Sequence, residues 1–245
     1  MEKRTYELFK NLQERHWWFV GRRKILLTIL DSLIDSKPIR ILDVGCGTGV
    51  MVKYFGQFGE IWGVDSSKEA VEACRKENLP NVYLDSQFHM REEFVDLITC
   101  LDVIEHIEDD VGFLKRYVRY LKKDGALILT APAYKFLWSD HDVVNHHKRR
   151  YSKRELVELV LALDFKIQKV TYFNTFLFPP IALIRILHKI KRTFIKVNVD
   201  KMDSDFEFVH NYLDTILSWV FASERYLLKN HRFPFGVSLL CIARK

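Results

Sequence analysis

Three glycines at alternate positions follow an acidic residue at the end of an apolar run. The run, 39–44, contains Asp43, and the glycines are Gly45, Gly47 and Gly49. This pattern is typical of a buried parallel strand that turns tightly into a helix and leaves bare backbone for a ligand. A second apolar run, 61–65, ends in Asp65, where a carboxylate can accept hydrogen bonds from both hydroxyls of a ribose. Together the two runs predict a nucleoside-binding crevice at the carboxyl ends of parallel strands.

The spacing and charge of the glycine turn indicate which kind of nucleoside it suits. A dinucleotide-binding turn has the pattern G-x-G-x-x-G and faces a pyrophosphate. This turn has the pattern G-x-G-x-G, follows Asp43 and contains no basic residue. Asp43 would repel a phosphate but would suit a ligand that carries an ammonium or sulfonium group. The alternatives are a nicotinamide cofactor and a structural turn without a ligand, and we favour the cationic nucleoside over both.

A loop rich in histidine follows the fifth apolar run and should lie over the same crevice. Its titratable and basic residues are His141, Asp142, His146, His147, Lys148, Arg149 and Arg150. The histidines titrate near neutral pH and could relay a proton, while Arg149 and Arg150 could grip a phosphate or a carboxylate. A metal could be held by His141, Asp142, His146 and His147, but their spacing is not diagnostic, so we predict no metal site. An ordinary hydrogen-bonded loop with a solvated basic run is the alternative.

These residues are embedded in an alternation of short apolar runs and amphipathic segments. The pattern predicts strands at 39–44, 61–65, 82–84, 95–101, 126–130, 165–172 and 235–243, with helices at 50–58, 67–77, 109–122 and 152–163. Ser66 or Ser67 should cap the helix at 67–77. Such βα units predict an α/β fold, a doubly wound and mostly parallel sheet with helices on both faces.

The remaining segments suggest three parts. Residues 1–37 form an N-terminal helical segment, 38–173 with 235–245 form the cofactor-binding domain, and 174–234 form a helical cap inserted before the last strand.

Composition narrows the setting but not the chemistry. The net charge of +6 favours an acidic partner, such as a phosphate-bearing substrate, an anionic membrane surface or a nucleic acid. The four cysteines lack metal-site spacing and suggest a reducing compartment. There is no apolar signal core near the start and no apolar run of membrane-spanning length. We therefore expect a cytoplasmic protein that could lie peripherally at a membrane.

Two motifs resemble those of the class I S-adenosylmethionine-dependent methyltransferases. The turn from Asp43 to Gly49 resembles the family's first motif, and the segment from Leu101 to Ile107 resembles its fourth. Between about residues 14 and 180 the chain resembles a largely uncharacterised prokaryotic subgroup of that family, which shares the His16-Trp17-Trp18-Phe19 segment. The resemblance implies a seven-stranded sheet whose last strand is antiparallel, with S-adenosylmethionine as cofactor.

The resemblance also assigns roles to particular residues. Those it places around the cofactor are Asp43, Gly45, Cys46, Gly47, Gly49, Asp65, Ser66, Asp85, Ser86, Leu101 and Asp102. Asp65 would bind the ribose, the segment at Asp85 would read the adenine, and the motif puts His106 beside the reactive methyl. His106, His141 and His147 are our candidates for the base that removes the nucleophile's proton.

The expected reaction is methyl transfer to an oxygen or nitrogen of a small molecule, which could be sugar- or lipid-linked. The alternatives are a nucleic-acid methyltransferase and a protein that binds the cofactor without catalysis. We expect no nucleic-acid partner, because no Asn/Asp-Pro-Pro-Tyr/Phe motif follows the fourth strand.

The segment 176–192 is apolar and then basic, so it could contact a membrane interface. A cap helix packed on the sheet, or buried in a homodimer, is the alternative.

Overall fold

The computed structural model describes residues 11–34, 38–194 and 211–245. Seven strands form one sheet: β1 (Ile39–Val44), β2 (Gly59–Asp65), β3 (Val82–Leu84), β4 (Val95–Leu101), β5 (Leu121–Pro132), β6 (Lys166–Phe173) and β7 (Ser238–Arg244). Their order is β3-β2-β1-β4-β5-β7-β6. The pairs among β1 to β5 are parallel, and β7 runs antiparallel to both β5 and β6. The predicted fold class is confirmed.

Helices cover both faces of this sheet. They are α1 (Trp17–Leu33), α2 (Val50–Phe55), α3 (Lys68–Lys76), α4 (Asp110–Val118), α5 (Asp140–Val144), α6 (Lys153–Leu161), α7 (Phe178–Phe194) and α8 (Asn211–Leu228). Residues 11–15 are also helical.

Alternate residues of the central strands face two different cores, as a sheet buried on both sides requires. Leu42 and Val44 of β1 pack in one core, and Ile41 packs in the other. The apolar runs that predicted these strands are therefore continuous because neither face meets water.

The fifth strand begins earlier than predicted, and the preceding helix is shorter. Leu121 pairs with Val95, and pairing resumes between Ala126 and Leu97, so several extra residues bulge out of β5. Asp124 within this bulge has a φ of 61°. Residues 123–125 therefore form a bulge inside β5. We expected them to form a turn that precedes the strand.

The N-terminal helix and the cap pack against each other. The backbone N–H of Trp17 donates to Asp214 Oδ1 at 3.1 Å. A Cβ added at Gly21 would lie 2.4 Å from Cδ1 of Phe221, so α1 and α8 approach as closely as the glycine allows. The division of the chain into three parts stays a prediction, and two of those parts are in contact.

Candidate active site

A cavity of about 1030 Å³ lies beyond the carboxyl ends of β1, β4 and β5. Most of its lining comes from the glycine turn after β1, the segment after β4, the histidine loop, α1 and α7, and Gln13, Val237 and Ser238 also line it. Of the predicted site residues, it is lined by Asp43, Gly45, Cys46, Gly47, Leu101, Asp102, His106, His141 and His147. Residues from both ends of the sequence thus meet at the edge of the sheet where nucleoside ligands bind in open α/β folds.

The three glycines of the turn have different roles. All have a positive φ, 74° at Gly45, 54° at Gly47 and 78° at Gly49. A Cβ at Gly45 would come within 2.3 Å of Val103, and one at Gly49 within 2.4 Å of Leu79. A Cβ at Gly47 would meet nothing within 4 Å. Gly45 and Gly49 are therefore required by packing, whereas Gly47 keeps its backbone open to the cavity.

Asp43 is the buried acid of the turn. Its Oδ1 accepts a hydrogen bond from the Thr99 hydroxyl at 2.6 Å. Burial raises the pKa of this carboxyl to about 7, against the opposing effects of Thr99 and of Arg22. A cationic ligand would favour the ionised form of Asp43, because a nearby opposite charge offsets the loss of solvation that burial causes.

Asp65 holds the glycine turn together and is not among the residues that line the cavity. Its two carboxylate oxygens accept N–H groups of Gly47 and Ser67, both at 2.8 Å. Ser67, and not Ser66, caps α3, with its Oγ accepting the N–H of Ala70 at 3.2 Å. Ser66 is exposed and does not line the cavity. Each oxygen of Asp65 retains a further acceptor position, so the ribose role remains compatible with this geometry.

The expected adenine readers lie outside the cavity. Asp85 forms an ion pair with Arg116 at 2.6 Å and accepts a hydrogen bond from the Tyr117 hydroxyl at 2.5 Å. Ser86 is exposed beside it. The adenine role of these two residues stays a prediction, and the carboxylate of Asp85 already has two partners.

Arg22 and Asp102 form an ion pair at the floor of the cavity. Arg22 Nη2 lies 2.6 Å from Asp102 Oδ2, and both side chains are largely buried. The guanidinium also lies 5.0 Å from the ring centroid of Trp18. The sequence assigns Arg22 no role in the site, because the pair joins α1 to a residue 80 positions later.

Glu105 is a buried carboxyl in the segment that resembles the family's fourth motif. It is 1% exposed, and its Oε2 has no hydrogen-bond partner among the described residues. Burial, reinforced by the charge of Asp102, raises its pKa well above the usual range. One of its two carboxyl oxygens is thus buried without a hydrogen bond to the described part of the protein.

His106 and His147 meet beside Glu105. Their ring centroids are 4.7 Å apart and the rings are edge-to-face. Burial and the neighbouring His147 lower the pKa of His106, so its imidazole is neutral at physiological pH. The third candidate, His141, has its ring centroid 5.9 Å from that of His147. The structure therefore brings together all three predicted catalytic histidines.

A buried carboxylate fixes the orientation of His147. Nδ1 of His147 lies 2.8 Å from Asp142 Oδ1. Arg150 donates to both oxygens of Asp142, from Nε at 2.8 Å and from Nη2 at 2.9 Å. Burial opposes ionisation of Asp142, but the bonds from His147 and Arg150 hold its pKa well below the usual range. Because an ionised carboxylate only accepts, Nδ1 of His147 donates to Asp142, which leaves Nε2 as the ring nitrogen that can act as an acceptor.

The hypothesis that Arg149 and Arg150 grip a substrate anion gains no support from the protein partners of these two residues. Arg150 is buried and its guanidinium is occupied by Asp142 and by the Ala133 carbonyl oxygen at 3.1 Å. Arg149 donates to the Glu108 carbonyl oxygen at 2.8 Å and pairs with Asp110 at 3.4 Å. A buried acid such as Asp142 needs a cation, and the sequence does not show which acid a basic run will neutralise.

These features fit S-adenosylmethionine. Gly47 leaves room against the backbone, Asp43 supplies a buried acid for a cationic group, and Asp65 stands one strand away for a ribose. A methyltransferase-domain family matches residues 16–170. The chain belongs to this family. The predicted family and its cofactor, S-adenosylmethionine, are confirmed.

Curated relatives carry names in ubiquinone biosynthesis. The O-methyltransferase of Xanthomonas oryzae pv. oryzae is 28% identical over 138 residues, which is 50% of this chain and 58% of the relative. The mitochondrial O-methyltransferase of Schizosaccharomyces pombe is 30% identical over 147 residues, 50% of this chain and 52% of the relative. The matched part spans just over half the length of these relatives.

Solved structures share the fold at low identity. The plantazolicin methyltransferase BpumL, in complex with SAH, has a TM-score of 0.57 at 15% identity and covers 98% of this chain and 87% of its own. The [4+2]-cyclase SpnF has a TM-score of 0.56 at 15% identity, and the match covers 92% of this chain and 80% of the SpnF chain. Because proteins named for different reactions share this architecture, the reaction must be argued from the site.

Proposed function

We propose that the protein transfers the methyl group of S-adenosylmethionine to an oxygen or nitrogen of a small molecule. One observation carries this proposal: a single cavity joins the open backbone at Gly47 to the imidazoles of His106 and His147. Its volume of about 1030 Å³ is at the upper end of the range for small-molecule sites, which leaves space for a second reactant.

The chemistry asks the protein for orientation and for a proton acceptor. Bound S-adenosylmethionine supplies a methyl group on a cationic sulfur, and the nucleophile must approach in line with the carbon–sulfur bond. Nε2 of His147 can accept the nucleophile's proton, because Asp142 holds the other ring nitrogen in its protonated form. The imidazolium that results lies beside the ionised Asp142, which stabilises its charge.

Oxygen is the favoured acceptor atom. A hydroxyl is a weak nucleophile until it loses its proton, so an oriented base has more effect on it than on a neutral amine. The names of the curated relatives, O-methyltransferases, support the same choice.

A paired substitution tests this function. His147→Asn should spare S-adenosylmethionine affinity and lower turnover by about 10²–10⁴-fold, the usual contribution of a general base. His146→Asn is the matched control, since His146 is the exposed neighbour with a φ of 56°, which asparagine tolerates. The assay is transfer of a labelled methyl group to a panel of small hydroxyl-bearing compounds. Equal turnover in the two variants would remove His147 from the reaction.

The substrate side of the cavity suggests contact with a lipid surface. Helix α7 lines the cavity through Ile184, Arg185 and His188, and its sequence contains no acidic residue. The large apolar side chains that it exposes are Leu183, Ile184, Ile186, Leu187 and Ile190. None of the described helices combines the length and apolar character that crossing a membrane requires. A peripheral contact through α7 would bring a lipid-linked substrate to the cavity mouth.

Vesicle flotation tests the surface contact separately. Leu183→Asp should release the protein from anionic vesicles, whereas Leu161→Asp on α6 should not, although the two leucines are 58% and 54% exposed. Equal flotation of both variants would favour a cap that packs in a homodimer.

Two other functions remain distinguishable. A nucleic-acid methyltransferase would bind RNA or DNA with a steep dependence on salt. A protein that binds the cofactor without catalysis would bind S-adenosylmethionine but transfer no methyl group to any class of acceptor.

A further inference from the structure

Three donor groups meet at one point of the cavity wall. One ligand atom from each of Glu105, His106 and His147 lies within 4.8 Å of the other two. Within 11–34, 38–194 and 211–245 no other group of three histidine, cysteine, aspartate or glutamate donors is this close. Two of the residues follow β4 and the third comes from the histidine loop, so only the fold assembles the set.

A second observation is that one carboxyl oxygen of this cluster is buried without a hydrogen-bond partner among the described residues. Glu105 is 1% exposed, and its Oε2 makes no hydrogen bond to any described residue. Burying a carboxyl oxygen without a partner is costly. The two guanidinium groups whose charge acts on Glu105 already have carboxylate partners, since Arg22 pairs with Asp102 at 2.6 Å and Arg150 pairs with Asp142 at 2.8 Å.

The surroundings of His147 are those of a metal ligand. Metal-bound histidines usually donate their second ring nitrogen to a carboxylate, which fixes the ring and its tautomer. His147 donates Nδ1–H to Asp142 at 2.8 Å, and Arg150 holds Asp142 in place. The lone pair of Nε2 is thereby directed away from Asp142 and is available for a cation.

We propose that Glu105, His106 and His147 bind a divalent transition-metal cation that holds the oxygen nucleophile for methyl transfer. Two imidazoles and one carboxylate suit such cations and leave other coordination positions open to the cavity. The inference rests on the proposed function and departs from our prediction of no metal. Of the four donors considered from sequence, His147 belongs to this set, whereas Asp142 is occupied by Arg150 and His146 is exposed.

The cation would change the proton's route but not the overall reaction. A hydroxyl bound to a divalent cation is more acidic, so its proton passes to water in the cavity and His147 remains a ligand. The oxygen forms a bond to the methyl carbon as the carbon–sulfur bond breaks. The electron pair of the broken carbon–sulfur bond stays on sulfur, which leaves a neutral thioether.

Metal binding can be measured without turnover. The full-length protein, stripped with EDTA, is titrated with Mn²⁺ by calorimetry and with Co²⁺ by visible absorption. We expect one cation per chain in the wild type and in His146→Asn. Glu105→Gln and His147→Asn should each weaken binding at least tenfold. Glu105→Gln keeps the size of the side chain, so a change in its binding is not an effect of packing.

The outcomes separate this inference from the proposed function. Absence of one-to-one binding, or equal binding in all four proteins, would overturn the metal site. Undiminished methyl transfer in the presence of EDTA would overturn the role of the cation and leave the methyltransferase function standing. Failure of the wild type to bind S-adenosylmethionine would overturn the function itself, whatever the cation titrations give.

Discussion

Glu224 offers the most quantitative test of the structure. It lies on α8, is fully buried, and uses Oε1 to accept the N–H groups of Thr175 at 2.6 Å and Phe176 at 2.8 Å. These bonds fix the chain where it leaves β6 for the cap. Its Oε2 has no partner among the described residues. Burial raises the pKa of Glu224 from 4.5 to about 7, although the backbone N–H groups oppose the change.

A raised pKa in the folded state makes stability depend on pH in one direction. The contribution of Glu224 is fully present below pH 4.5, and it is lost as the pH rises through about 7 because the folded state must then bury a charge. At about 1.4 kcal/mol for each pH unit between these values, the loss is about 3 kcal/mol. Glutamine keeps the acceptor oxygen and cannot ionise. Glu224→Gln should therefore be more stable than the wild type by about 3 kcal/mol at pH 8 and nearly equal to it at pH 4.5.

The assay is urea unfolding of both proteins between pH 4.5 and pH 8. Other groups titrate in the same range, so the quantity of interest is the difference in free energy of unfolding between the two proteins. Glu158→Gln is the control, because Glu158 pairs with Arg154 on the exposed surface and should change stability by less than about 1 kcal/mol. A difference between Glu224→Gln and the wild type that does not vary with pH would refute the reasoning.

Three further predictions concern the cavity. S-adenosylmethionine should bind about tenfold more weakly at pH 6 than at pH 8, because Asp43, with its pKa of about 7, must ionise to attract the sulfonium. In calorimetric titrations, Asp43→Asn should remove this dependence on pH. Gly47→Ala should retain the fold at a cost of about 1–2 kcal/mol for its positive φ, and it should bind the cofactor at least tenfold more weakly. In Gly45→Ala the main effect should be a loss of stability, because its Cβ would meet Val103. Asp142→Asn should lower the free energy of urea unfolding by about 3–5 kcal/mol, because it leaves the buried guanidinium of Arg150 without its carboxylate. An unchanged urea midpoint would contradict the buried ion pair.

Much of the fold could be predicted from the sequence because its signals are local. The run before Asp43 and the glycines after it specify a strand and a tight turn within eleven residues, 39–49. The strand at 82–84 was predicted at its observed bounds. The bulge in β5 was not predicted, because the sequence at 123–125 is equally typical of a turn between elements and of a bulge within a strand. Only the register of β5 against β4 distinguishes these two structures.

The sequence by itself determined which residue types could do chemistry, and it predicted that the cofactor binds at the glycine turn. Only the tertiary structure decided that Asp142 orients His147, that Arg150 neutralises Asp142, and that Glu105 lies beside the histidine pair. It also decided that α1 packs on α8, helices separated by nearly the whole chain. The reason is physical: a strand, a cap or a glycine turn depends on neighbours a few residues away. The partner of a buried charge depends on which distant segments the folded core brings together.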